Sequence, residues 1–124
     1  MARILIVEDT EGVRQTLEIM LENSGHTLNV AESGSDALAQ LKQHSYDVVV
    51  TDIIMPEIDG NDVIMEIKRM PQAPKLIAIS GGGMKVDKEE ALTLARTQAD
   101  MVLKKPFTHR ELQDAVGQTL GTRT

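Results

Sequence analysis

The chain has 124 residues and a mass of 13.6 kDa, 41% hydrophobic and 26% charged, which fits one globular domain spanning residues 1–124. Its 13 basic and 19 acidic residues leave a net charge of −6, a poor match to a phosphate backbone, and the absence of cysteine excludes disulfide scaffolds and thiol chemistry. Apolar runs stop at four residues, too short to cross a bilayer, and Glu8 follows the start too soon for a signal peptide, so a soluble cytoplasmic domain is expected.

In chain order, Ile4–Val7 predicts a first strand. A helix follows, with Val13, Leu17, Met20 and Leu21 on one face, ending at Ser24-Gly25. Leu28–Ala31 predicts a second strand, broken by Ser33-Gly34 before a helix with Ala37, Leu38 and Leu41 on one face. Val48–Thr51 predicts a third strand, then the Asp59-Gly60 break and a helix carrying Val63, Ile64 and Ile67. Leu76–Ile79 predicts a fourth, followed by the glycine run 81–83 and a helix through Leu92 and Ala95. Met101–Leu103 predicts a fifth, before a last helix with Leu112, Val116 and Leu120. Most of these runs are continuous rather than alternating, as strands buried on both faces require. They recur every 20–28 residues, the spacing of strands that alternate with helices. The pattern predicts an α/β fold, a doubly wound parallel sheet with helices on both sides, and a ligand site beyond the carboxyl ends of its strands.

The residues at those strand ends carry the chemistry. The first strand runs into Glu8-Asp9, the third into Asp52, the fourth into Ser80 and the fifth into Lys104-Lys105-Pro106. Three carboxylates brought together repel one another unless a cation intervenes, and hard oxygen donors in this number favour Mg²⁺ or Mn²⁺. One such acid alone would be read as a helix cap facing water. His26, His44 and His109 are scattered without metal-ligand spacing and read as solvated or capping residues. No G-x-S-x-G surrounds Ser80, and Gly81-Gly82-Gly83-Met84-Lys85 lacks the spacing of a phosphate loop. The seven methionines read as core filler.

Together the acid pair Glu8-Asp9, the stretch Asp52-Ile53-Ile54-Met55-Pro56-Glu57-Ile58-Asp59-Gly60, the hydroxyl of Ser80 and Lys105-Pro106-Phe107 resemble the receiver domain of bacterial two-component response regulators, over essentially the whole chain. The resemblance implies a flavodoxin-like three-layer sandwich with strand order 2-1-3-4-5. It implies that Asp52 accepts a phosphoryl group. Mg²⁺ or Mn²⁺ would be held by Asp9, Asp52 and the Ile54 carbonyl, with Glu8 acting mainly through water. Ser80 would hydrogen-bond a phosphoryl oxygen and Lys105 would ion-pair with it. The family lysine immediately precedes proline, so the resemblance implies Lys105 rather than Lys104, and strand alternation turns Lys104 to the other face. Pro56, Gly60 and Pro106 would be structural, Pro106 aiming Lys105 through a cis bond. The implied donor is the phosphohistidine of a sensor histidine kinase or histidine phosphotransfer protein.

The departures from the family pattern bear on mechanism. Val102 stands where the family commonly has a switching Tyr or Phe, and a β-branched residue cannot toggle in that way. The expected mover is instead the run Gly81, Gly82 and Gly83 after Ser80. Neither Ile54 nor Gly82 offers a polar group to orient a hydrolytic water, which favours slow self-dephosphorylation. Since only Gly121-Thr122-Arg123-Thr124 follow the last helix, output is expected from protein docking, with no nucleic acid and no membrane insertion, and the resemblance implies Val86–Leu120 as the docking surface. Three alternatives stand beside this reading: a receiver fragment of a hybrid kinase or longer regulator, an unphosphorylated docking module, and a Mg²⁺-dependent phosphatase. The last would need a second acid where Ile54 stands.

Overall fold

The computed structural model describes residues 2–22, 25–52, 65–71, 73–80, 99–104 and 107–121. Five strands, β1 (Arg3–Val7), β2 (Thr27–Ala31), β3 (Val48–Asp52), β4 (Lys75–Ser80) and β5 (Met101–Lys104), form one parallel sheet in the order β2-β1-β3-β4-β5. Three helices are described in full: α1 (Glu11–Glu22), α2 (Gly34–Gln43) and α3 (His109–Leu120); residues 65–68 are also helical. The Asp59-Gly60 break, Val63, Ile64, the run 81–83 and the stretch through Leu92 and Ala95 lie outside the described residues.

Side chains alternate across the sheet, and each face has its own core. Leu5, Val7, Val49, Leu76 and Ala78 pack with Ala37 and Leu41 of α2 and with Ile67. Ile4, Ile6, Val48, Val50, Ile77 and Ile79 pack with Leu17 and Leu21 of α1 and with Leu112 and Val116 of α3. Burying each large aliphatic side chain contributes on the order of 1.5–3 kcal/mol, so the two apolar layers decide the fold. The sandwich has three layers, as the runs of apolar residues predict.

Local sequence sets the helix ends. Ser33 caps α2, its Oγ accepting from the Asp36 amide at 3.0 Å. Gly34 is therefore the first residue of the helix, within its opening turn. Thr108 and Glu111 form a capping box on α3, with bonds of 3.0 and 2.8 Å, worth about 1 kcal/mol. Gly25 (φ 85°) follows α1 and Gly121 (φ 72°) ends α3, both in the left-handed region where a Cβ is penalised.

The strands run slightly further than the apolar pattern: Thr27, Asp52, Lys75, Ser80 and Lys104 all belong to the ladder. Backbone pairing continues beyond the apolar residues of these runs, so polarity does not mark its end. Ile19, 56% exposed, breaks the polar face expected of α1. Among the described residues, no helix is long and apolar enough to cross a membrane.

Candidate functional site

The strand order brings the ends of β1 and β3 side by side. Val7 pairs with Thr51, so Glu8 and Asp52 are the next residues on neighbouring strands. Asp52 pairs with Ile79, and Ser80 with Lys104. The backbones of Asp52 and Ser80 therefore stand at the same carboxyl edge as the acid pair. Of Asp52, Ser80 and Lys104 only the backbone is described, and Ile54, Pro56, Gly60, Gly81, Gly82, Gly83, Lys105 and Pro106 lie outside the described residues.

The turn between β1 and α1 is held at several points. The Glu8 amide donates to the Ala31 carbonyl at 3.0 Å, extending the pairing with β2 by one residue. The Glu8 side chain is 1% exposed, and its Oε2 accepts from the Thr10 amide at 3.1 Å. Arg14, half-buried in α1, donates from Nη1 to the Glu8 carbonyl oxygen at 2.9 Å. Asp9, between these contacts, is exposed. The side chains described at this edge thus present one buried and one exposed carboxylate, and among the described residues no three ligating side chains form a metal cluster. The donor type fits a hard divalent cation: carboxylate oxygens, with no cysteine in the chain and with His26 and His44 at the opposite edge.

Two carboxylates that the sequence does not single out work at that opposite, amino edge. The Asp47 Oδ2 accepts from the Arg3 amide at 2.8 Å, while the Asp47 amide donates to the Arg3 carbonyl at 2.8 Å. Asp100 repeats the device on Leu76, with bonds of 2.8 and 2.9 Å, and its Oδ2 lies 3.7 Å from Lys68 Nζ. Each acid directly precedes a strand and grips the start of the neighbouring one. The only sequence signal is an Asp immediately ahead of an apolar run, Asp47 before Val48–Val50 and Asp100 before Met101–Leu103.

His26, half-buried, accepts from the Ala2 amide through Nδ1 at 3.0 Å, a capping role just ahead of β1. Burial, with the N-terminal ammonium next, lowers its pKa below the usual 6.5, and Asp47 opposes this. His44 is the C-cap residue of α2 and His109 begins α3. The buried Tyr46 hydroxyl accepts from Asn29 Nδ2 at 3.0 Å and lies 3.3 Å from Gln40 Oε1; burial raises its pKa. Val102 is half-buried and packs on the α2 side of the sheet.

Similarity to known proteins agrees with this architecture. The response regulator receiver domain family matches residues 4–117. The response regulator SaeR of Staphylococcus aureus is 34% identical over 112 residues, covering 90% of this chain and 47% of SaeR, so the chain spans about half the length of the curated relatives it matches. A response regulator receiver domain protein from Clostridium thermocellum superposes with a TM-score of 0.86 at 29% identity, covering 98% of this chain and 95% of that one. The receiver domain of the sensor histidine kinase PA1611 from Pseudomonas aeruginosa, solved with magnesium coordinated in its active-site cleft, gives 0.86 at 26% identity and covers 98% of both chains. With the parallel sheet, its strand order and this match over nearly the whole length, the chain belongs to the receiver domain family of two-component response regulators.

Proposed function

We propose that the chain is a phosphorylation switch whose acceptor is Asp52. The observation that carries the reading is the β1–β3 register, which sets Asp52 beside the Glu8-Asp9 turn at the carboxyl edge of the sheet. One carboxylate oxygen of Asp52 attacks the phosphorus of a phosphohistidine in line, forming an acyl phosphate as the P–N bond breaks and the imidazole leaves. The donor is a sensor histidine kinase or a histidine phosphotransfer protein. Asp9, Asp52 and the Ile54 carbonyl would hold Mg²⁺ or Mn²⁺, with Glu8 acting mainly through water; the magnesium coordinated in the active-site cleft of the PA1611 receiver domain supports a divalent cation at this edge. When bound, that ion neutralises charge on the phosphoryl oxygens.

Ser80 donates a hydrogen bond to one phosphoryl oxygen and Lys105 ion-pairs with another, Pro106 fixing its direction. Ser80 shifts towards the group and draws Gly81, Gly82 and Gly83 with it, because Val102 offers no rotating aromatic ring. The new charge rearranges the surface over Val86–Leu120, where a cytoplasmic protein target docks.

Intact-protein mass after incubation with acetyl phosphate and Mg²⁺ tests the reading. The expected result is a single phosphoryl adduct that requires Mg²⁺ and is lost in Asp52→Asn. An absent adduct together with no beryllofluoride binding would overturn it in favour of an unphosphorylated docking module.

A further inference from the structure

The first turn of α1 contains a cation that no motif marks. Arg14 is the sole basic residue of α1, and its guanidinium reaches back across the turn to the Glu8 carbonyl oxygen at 2.9 Å. Its own backbone is fixed, the Arg14 amide donating to the Thr10 carbonyl at 2.8 Å.

A peptide unit is planar, so the Glu8 carbonyl and the Asp9 amide share one plane that ends at the Asp9 Cα. The Thr10 amide belongs to the plane that leaves that same atom. Arg14 grips the first plane through the Glu8 oxygen, and the Glu8 carboxylate grips the second through the Thr10 N–H at 3.1 Å. Asp9 is exposed, yet both planes flanking it are held, which fixes the direction in which its Cα–Cβ bond leaves the backbone.

We propose that Arg14 is a positioning residue which, by holding the Glu8 carbonyl, aims the Asp9 carboxylate at the metal. This rests on the reading of Asp9 as a metal ligand. Two simpler roles predict different results. As a charge alone, a guanidinium beside the site repels a divalent cation, so removing it would tighten binding. As a fastening for α1 alone, it would affect stability and leave metal affinity untouched. Aiming predicts weaker binding, because outer-shell groups that orient ligands typically account for about 10–100-fold in metal affinity.

The test is the Mg²⁺ dissociation constant, measured without phosphodonor by titration of the amide NMR spectrum, for wild type, Arg14→Met, Arg14→Lys and Asp9→Asn. Arg14→Met is expected to weaken binding about tenfold, while Arg14→Lys, which keeps charge and a donor, stays within about threefold of wild type. Unchanged or tighter binding in Arg14→Met overturns the proposal. If Asp9→Asn binds Mg²⁺ like wild type, it is the reading of Asp9 that fails, and the role of Arg14 falls with it. Should Arg14→Met lose a dispersed spectrum, Arg14→Ala takes its place under the same criterion, since it also removes the donor and keeps helix propensity.

Discussion

At the amino edge of the sheet, Asp47 and Asp100 each set a carboxylate oxygen 2.8 Å from a backbone amide of the neighbouring strand and return their own amide to the same residue. At the carboxyl edge, the Glu8 carboxylate turns back on Thr10 two residues away, and Asp9 is exposed on a turn that Arg14 braces. Both edges carry carboxylates, and the partners differ. The amino-edge acids satisfy long-range backbone donors, which is a contribution to stability. The carboxyl-edge pair is held by its own turn, which leaves Asp9 directed outward. An acid count alone does not separate the two roles; what each carboxylate accepts from does.

This contrast can be broken experimentally, starting with the largest effect. Asp9→Asn should lower Mg²⁺ affinity at least tenfold while leaving the urea midpoint unchanged or slightly raised, since it relieves repulsion within the acid cluster. A clear loss of stability would mean that Asp9 is a structural acid like those of the other edge. Asp100→Ala should do the reverse. It leaves the Leu76 amide, on a residue 0% exposed, without its carboxylate acceptor, and should cost about 1–3 kcal/mol in urea unfolding with phosphoryl uptake intact. Asp47→Ala acts on the solvent-exposed Arg3 amide, and about 0.5–1 kcal/mol is expected by the same method.

The smallest effect concerns His26, also at the amino edge. Its folded pKa lies below 6.5, so the neutral ring is the form the fold prefers, and protonation also removes the acceptor for the Ala2 amide. The contribution is complete above pH 6.5 and is lost as pH falls from there through the lowered folded value. Urea midpoints at pH 7.5 and 5.5 should therefore fall further for wild type than for His26→Gln. Equal falls would place the pH dependence elsewhere.

Much of this architecture is legible in the sequence because both faces of the sheet are buried. Val48–Val50 and Leu76–Ile79 have to be continuous apolar runs, and nothing but a doubly covered strand demands them. The pattern fails where backbone bonding and side-chain burial part company, as at Thr27 and Lys75, and at Gly34, where the Ser33 cap outweighs the glycine. Glu8, Asp9 and Asp52 stand out because they come directly after apolar runs. Asp47, Asp100 and Arg14 do not, because their roles depend on partners that only folding supplies: Asp47 and Arg3 are 44 residues apart, Asp100 and Leu76 are 24 apart, and Arg14 acts on a carbonyl, which every residue has.

The strand order also bears on how the chain is made. Once β1 and β2 have paired, β3 adds to the free side of β1, β4 to the free side of β3, and β5 to the free side of β4. That order permits the sheet to grow in one direction as the strands are synthesised, since no later strand has to be inserted between two already paired. The α1 side joins the two ends of the described chain: α3 packs with Val50 and Ile77, and the Gln113 side-chain amide donates to the Met20 carbonyl at 2.9 Å across 93 residues. Among the described residues, it is α3, the element that follows the last strand of that order, that packs on this face together with α1.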